Sequence, residues 1–161
     1  MIDMKIETKC LHEGYTPANG EPLTLPIYQS TTYKYESTAQ VAKLFDLTDD
    51  GHMYSRISNP TVAAVEEKIA ALEGGEGALC FSSGMGAISS AIMHFITANC
   101  HVVLVATSYG CTLNFIKNYL RKKFGITYTL VNGDSVEEIE NALQPNTKLI
   151  YMESPSSLVF K

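Results

Sequence analysis

The chain has 161 residues, of which 45% are hydrophobic and 18% charged, and its formal net charge is −5. This length and composition allow a buried core and exclude an intrinsically disordered protein. The net negative charge argues against general nucleic-acid binding, which requires a basic surface.

The sequence predicts neither a signal peptide nor a membrane span, because it has no basic-then-apolar leader and no apolar run near 18 residues. The four cysteines show no C-x-x-C spacing, and the four histidines show no metal-ligand spacing. We therefore expect no metal site. We also expect reduced thiols, with Cys80 and Cys100 buried, in a cytoplasmic protein.

The first part of the chain, residues 1–50, lacks the periodic apolar pattern of a helix or a strand. Glycines and prolines interrupt it, and residues 26–33 are polar, aromatic and extended in propensity. A segment this long without its own periodicity is unusual inside a compact domain. We expect residues 1–60 to form an arm that packs on a neighbouring subunit; a mobile leader is the alternative.

A well-marked helix is predicted to begin after Asn59. Asn59 is a favourable N-cap, Pro60 suits the first helical position, and Gly74 ends the pattern. Apolar residues recur at helical spacing between these signals: Val62, Val65, Ile69 and Leu72. Tyr54 and Arg56 come just before this helix. An arginine there either forks onto a phosphate or bonds loop carbonyls at the surface.

From residue 78 onward, apolar runs alternate with helical patterns. The runs predict four strands at 78–81, 101–106, 126–131 and 148–152. The intervening segments predict helices at 85–96, 113–123 and 135–143, the last beginning with a capping box. Short connections between alternating strands and helices indicate an α/β fold, in which helices flank a mainly parallel sheet.

Ligands bind beyond the carboxyl ends of parallel strands, where this chain has the polar turns 82–84, 108–110 and 153–155. The turn at 81–86 is typical of a strand leading into a helix, whose free N–H groups and dipole favour an anion such as a phosphate. A plain connection is the alternative. Tyr109 either covers a planar ring or plugs the sheet edge. Cys111 is reactive only if its pKa is lowered.

Several stretches, in this order, resemble the pyridoxal-phosphate enzymes of cysteine and methionine metabolism. They are Tyr54-Ser55-Arg56-Ile57-Ser58-Asn59-Pro60-Thr61, Ser82-Ser83-Gly84-Met85-Gly86-Ala87-Ile88, Tyr109-Gly110-Cys111-Thr112 and Tyr151-Met152-Glu153-Ser154-Pro155. The similarity covers almost the whole chain. It implies the large domain of the aminotransferase-like fold (fold type I), with residues 1–60 as an extended arm and 61–161 as the first part of the cofactor-binding domain.

The resemblance implies pyridoxal 5'-phosphate as cofactor and assigns roles to matching positions. Ser83, Gly84 and Met85 would hold the cofactor phosphate through backbone N–H groups. Tyr109 would stack on the pyridine ring and help protonate a leaving thiolate. Cys111 would lie near the substrate and tune γ-elimination.

Other implied roles depend on a second subunit or on the end of the chain. Tyr54 and Arg56 would reach the phosphate of a neighbouring subunit's cofactor, in a homo-oligomer such as a dimer of dimers. Glu153 and Ser157 are also assigned to the cofactor. Ser157 stands where the family has an asparagine that bonds the ring hydroxyl, and serine is shorter, with fewer donors.

The Tyr-Gly-Cys-Thr motif is most similar to the methionine γ-lyases of this family. The implied reaction is γ-elimination of L-methionine to methanethiol, 2-oxobutanoate and ammonia. Sulfhydrylation of O-acetylhomoserine and cystathionine synthesis are alternatives within the family, and a non-catalytic oligomerisation fragment is a third. Family members are much longer, and their imine lysine and pyridinium aspartate come later. We therefore expect a truncated chain that is inactive alone.

Overall fold

The computed structural model describes residues 4–156. The chain divides into two compact units, one up to Cys80 and one from Phe81 onward. Among the described residues, no helix has the length and hydropathy needed to cross a membrane. Ser157 lies outside the described residues.

The first unit contains helices α1 (Ile6–His12), α2 (Thr38–Phe45) and α3 (Pro60–Glu73). The prediction for α3 is confirmed, because the Asn59 side chain accepts the Thr61 N–H and Gly74 ends the helix at φ 66°. The expectation that residues 1–50 lack a periodic pattern is wrong for α2, where Val41 and Leu44 recur at helical spacing and Leu44 is buried. Ser37 caps α2 by accepting the Gln40 N–H at 3.2 Å, which gives that short helix a defined start.

The second unit begins with α4 (Gly84–Phe95), followed by β1 (His101–Val105). A continuous helical segment comes next, built from α5 (Gly110–Asn114), a π-helical turn (Phe115–Leu120) and α6 (Arg121–Phe124). It ends at Gly125, whose φ of 67° only glycine adopts at little cost. The remaining elements are β2 (Thr127–Val131), α7 (Val136–Ala142) and β3 (Thr147–Tyr151).

The three strands form a parallel sheet in the order β2-β1-β3, which confirms the predicted α/β fold with a mainly parallel sheet. The fully buried central strand β1 sends alternate side chains to opposite faces. Val102 and Leu104 pack with Ile92 of α4 and with Ile116 and the rest of one apolar cluster. Val103 and Val105 pack with Val131 on the other face, against α7. Helices therefore flank both faces.

The predicted strand at 78–81 is wrong. These residues form no strand, and Leu79 is 78% exposed. A strand needs a neighbouring strand to accept its hydrogen bonds, whereas here the Cys80 N–H donates to the Glu66 carboxylate at 2.7 Å. The expectation that Cys80 is buried fails for the same reason, while Cys100 is buried as expected.

The predicted capping box before α7 is half formed. The Ser135 hydroxyl accepts the Glu138 N–H at 3.1 Å, as a box requires. The Glu138 carboxylate bonds instead to the loop after β2, accepting the N–H groups of Asn132 at 2.9 Å and Gly133 at 3.1 Å. Glu138 therefore stabilises the turn that leads into its own helix.

His101 joins all three strands at the amino end of the sheet. Its side chain is fully buried, with Nδ1 2.8 Å from Thr147 Oγ1 and Nε2 2.9 Å from Thr129 Oγ1. Burial lowers the pKa of His101, so the neutral ring is favoured. Both ring nitrogens are thus satisfied without a charged partner.

Candidate cofactor site

The amino end of α4 has a serine cap and exposed backbone N–H groups. Ser83 has an extended backbone, and its Oγ accepts the Gly86 N–H at 3.0 Å, while the Ala87 N–H bonds the Ser83 carbonyl at 3.1 Å. Within the described residues, the N–H groups of Gly84 and Met85 have no acceptor. A Cβ built on Gly84 would meet no atom within 4 Å, so a ligand can approach this backbone.

Tyr109 and Glu153 lie at the carboxyl ends of neighbouring strands, and the structure brings them together. The Tyr109 backbone N–H donates to Glu153 Oε2 at 3.0 Å, across the connections that follow β1 and β3. Glu153 Oε1 accepts from the Tyr151 hydroxyl at 2.9 Å. One carboxylate therefore ties the start of α5 to the end of β3.

Tyr109 is 45% exposed at the start of α5. Cys111 raises the pKa of the Tyr109 phenol, first through a side-chain hydrogen bond and then through charge. Partial burial adds to the effect. A phenol already keeps its proton at neutral pH, and the raised pKa of Tyr109 extends the pH range over which it does so.

Tyr151 also keeps its proton. Burial is the largest cause that raises its pKa, and the hydrogen bond to Glu153 raises it further, against a smaller opposite effect of Thr112. A neutral phenol that donates to a carboxylate is the arrangement expected for this pair. The sequence does not predict the hydrogen bonds of Glu153, because no local pattern pairs residue 153 with residue 109.

Tyr54 and Arg56 belong to the first unit. Arg56 Nη2 lies 3.4 Å from the Tyr54 hydroxyl, and the guanidinium carbon lies 5.2 Å from the centre of the Tyr54 ring. Among the described residues, the guanidinium contacts this ring rather than loop carbonyls. Arg56 is exposed, so its remaining donors are free to bind an anionic group.

Asn59 supports the loop that carries these two side chains, a function beyond the predicted cap. Its Nδ2 lies 2.9 Å from the Tyr28 carbonyl, 3.1 Å from the Tyr33 hydroxyl and 3.0 Å from Ser55 Oγ. Of the favoured N-cap side chains only asparagine can accept the cap bond and also donate from an NH₂ group. The choice of asparagine over the other N-cap residues is therefore the sequence signal for the hydrogen bonds around Asn59.

These features can be compared with known proteins. Residues 7–161 match the model of the family described as Cys/Met metabolism PLP-dependent enzyme. The chain belongs to this family. The polar turns at the strand ends and the open end of α4 are therefore features of a family that uses pyridoxal 5'-phosphate (PLP).

Two relatives of the family with different activities are similarly close. An L-methionine γ-lyase from Porphyromonas gingivalis is 43% identical over 150 residues, which are 93% of this chain and 37% of that protein. An O-acetyl-L-homoserine sulfhydrylase from Corynebacterium glutamicum is 40% identical over 150 residues, 92% of this chain and 34% of that protein. The chain thus spans little more than a third of the length of these curated relatives.

A solved structure agrees with the fold. The crystal structure of an O-acetylhomoserine (thiol)-lyase from Campylobacter jejuni superimposes with a TM-score of 0.86 at 34% identity. It covers 96% of this chain, which corresponds to 38% of that protein. That structure contains a pyridoxyl-lysine phosphate, so a protein with the same fold carries a lysine-linked form of the cofactor.

The residues at these two positions have chemistry that fits PLP. A phosphate needs convergent donors, and the free N–H groups of Gly84 and Met85 supply two at a helix end with partial positive charge. A pyridine ring needs a flat partner, and the Tyr109 ring is half exposed.

Proposed function

We propose that the N–H groups of Ser83, Gly84 and Met85 hold the phosphate of PLP and that the Tyr109 ring stacks on its pyridine ring. The free amides at the start of α4 support the first assignment, and the exposed ring of Tyr109 supports the second. Ser157 remains a proposed ligand from the sequence alone.

The proposed reaction is γ-elimination of L-methionine to methanethiol, 2-oxobutanoate and ammonia. When bound, PLP supplies an electron sink for carbanion chemistry at the amino-acid substrate. In this proposal the Tyr109 hydroxyl donates a proton to the departing thiolate, and Cys111 lies near the substrate and tunes the elimination. The 43% identity to the L-methionine γ-lyase from Porphyromonas gingivalis is the observation that carries the proposal.

A second candidate is sulfhydrylation of O-acetylhomoserine, favoured by the 40% identity to the Corynebacterium glutamicum sulfhydrylase. Both reactions need the same cofactor contacts, so the residues at the start of α4 do not separate them. The two reactions differ in their substrate, and we propose that Cys111 contributes to the choice between methionine and O-acetylhomoserine.

We further propose that residues 1–60 pack on a neighbouring subunit of a homotetramer, in which Tyr54 and Arg56 bind the partner's cofactor phosphate. Residues 61–161 would then form the first part of the PLP-binding domain. The exposed Arg56 guanidinium and the exposed apolar side chains of the first unit support this arrangement. The four free cysteines support a cytoplasmic location.

Cofactor binding is tested by adding PLP to the 161-residue chain and recording its absorbance and fluorescence. We expect saturable binding that weakens in Gly84→Pro, which lacks the N–H, and in Tyr109→Ala. Borohydride treatment should leave no lysine-linked cofactor, because we propose that this chain alone lacks the imine lysine. The lack of saturable binding would refute the assigned phosphate contacts.

The reaction is tested with two chimaeras, in which this chain replaces the matching 150 residues of the methionine γ-lyase or of the sulfhydrylase. Each is assayed with methionine, and with O-acetylhomoserine plus sulfide, beside its unmodified parent. We expect both chimaeras to gain methionine cleavage relative to sulfhydrylation. A shift toward sulfhydrylation in both would favour the second candidate. The 161-residue chain alone should produce no 2-oxobutanoate.

A further inference from the structure

We propose that Glu153 is a positioning residue: it fixes the place of Tyr109 through the Tyr109 backbone N–H and is itself held by Tyr151. This inference extends the proposed function, since it assigns Glu153 to the orientation of the proposed acid rather than to direct contact with the cofactor. The geometry that supports it lies entirely within the second unit.

The carboxylate is a bridge between two chain segments that are distant in sequence. Its Oε2 accepts from the Tyr109 amide at 3.0 Å, and its Oε1 accepts from the Tyr151 hydroxyl at 2.9 Å. Both oxygens are therefore engaged by the protein. Tyr109 immediately precedes α5 and has no side-chain cap of its own, so the Glu153 bond is what restrains its amide.

Tyr151 supplies the fixed end of this bridge. It is the last residue of β3 and pairs in register with Leu104 of the fully buried strand β1. Its phenol is protonated at neutral pH and donates to Glu153, and burial and Glu153 both raise its pKa further. The sheet therefore determines where the Glu153 carboxylate lies, and the carboxylate in turn determines where Tyr109 enters α5.

Three substitutions separate positioning from general stability. Glu153→Ala removes both bonds. Glu153→Gln can keep both, because its amide oxygen accepts from Tyr109 and its NH₂ group donates to the Tyr151 hydroxyl. Tyr151→Phe removes only the hydrogen bond from residue 151 to Glu153 and leaves the Tyr109 amide bond in place. Glu140→Ala is the matched control on the exposed side of α7.

The experiment measures amide hydrogen exchange of the 161-residue chain by NMR, with the Val103 amide in the sheet core as internal reference. We expect Glu153→Ala to speed exchange at the Tyr109 amide about tenfold, the factor for losing one hydrogen bond, with Val103 unchanged. Tyr151→Phe should give a smaller increase. Glu153→Gln should restore protection, and Glu140→Ala should behave as the parent chain.

Titration of Tyr151 provides an independent readout. In Glu153→Gln the negative charge is lost while the bridge remains, so the pKa of Tyr151 should fall, although burial still keeps it above the usual value. Unchanged exchange at Tyr109 in Glu153→Ala, or equal acceleration at Tyr109 and Val103, would overturn the positioning role. Failure of PLP to bind, with these exchange results intact, would refute the proposed function and leave the positioning role standing.

Discussion

The two units of the chain differ in how many side chains each of them buries internally. In the second unit, all five residues of β1 are buried and apolar clusters lie on both faces of the sheet. In the first unit, the buried side chains among residues 4–80 are Leu44, Ala64 and Asn59. Large apolar side chains such as Leu23, 80% exposed, face outward there.

This difference shows what each unit needs. The second unit buries enough apolar surface to form a core of its own. The first unit buries few side chains among its described residues, and the Asn59 NH₂ group, which lies near Tyr28, Tyr33 and Ser55, organises it through hydrogen bonds. Helix α3 illustrates this, because Val65 and Ile69 of its predicted core face are each 46% exposed.

The largest expected effect comes from removing a core side chain of the second unit. Leu104→Ala should lower the free energy of unfolding by about 3 kcal/mol, because it removes buried methyl groups and leaves a cavity. The matched change Leu23→Ala in the first unit should alter it by less than about 0.5 kcal/mol. Urea titration followed by circular dichroism measures both. Equal losses would remove the contrast between the units.

Next in size is the loss of the polar cluster of the first unit. Asn59→Ala should cost about 2 kcal/mol, since it removes the α3 cap and the two N–H donors that three neighbouring acceptors share. Asn59→Asp keeps the cap acceptor and loses the NH₂ donors, so it should cost about half as much. Limited proteolysis within residues 26–33 reports the effect. Equal cleavage of parent and both variants would show that Asn59 does not organise this unit.

His101 should make the stability of the second unit depend on pH. In the unfolded chain, His101 becomes protonated as the pH falls below its ordinary pKa of about 6.5. In the folded chain, burial lowers the pKa of the ring. The unfolded state therefore takes up more protons as the pH falls below about 6.5, and stability decreases by up to about 1.4 kcal/mol per unit of pKa lowering.

The change is measured by urea titration between pH 7.5 and pH 5. His101→Gln should flatten the dependence, whereas His94→Gln on the exposed side of α4 should leave it as in the parent. An identical slope in His101→Gln and the parent would assign the dependence to other groups.

The smallest effect is local to the exposed edge of the second unit. Cys111→Ala should lower the pKa of Tyr109 toward the ordinary value of about 10, because the hydrogen bond to Cys111 is the largest cause of its elevation. Ultraviolet titration of the phenols, compared with Tyr109→Phe to identify the signal, measures the shift. A phenol that titrates as before in Cys111→Ala would refute the proposed role of Cys111.

The predictions succeeded where local sequence decides structure. The cap at Asn59, the stop at Gly125 and the apolar run at 101–105 are local signals, and each is found in the structure. The failures depend on distant partners. Residues 78–81 look like a strand but have none to pair with, and Glu138 bonds a loop instead of its own cap.

The candidate site follows the same rule. The helix end at Ser83 and the position of Tyr109 after β1 follow from the alternation of strands and helices. The bridge from Glu153 to Tyr109 spans 44 residues and depends on the pairing of β1 with β3, which single-sequence periodicity does not reveal.

The π-helical turn at Phe115–Leu120 has a consequence for the geometry of this edge. A π turn accommodates one more residue than an α turn, so it acts as a one-residue insertion within the helical segment. Because the turn absorbs the extra residue, deleting one residue there would give regular helix with the flanking segments in nearly the same angular phase. Tyr109 and the basic end at Arg121 therefore keep the relative orientation of a regular helix even though one extra peptide unit lies between them.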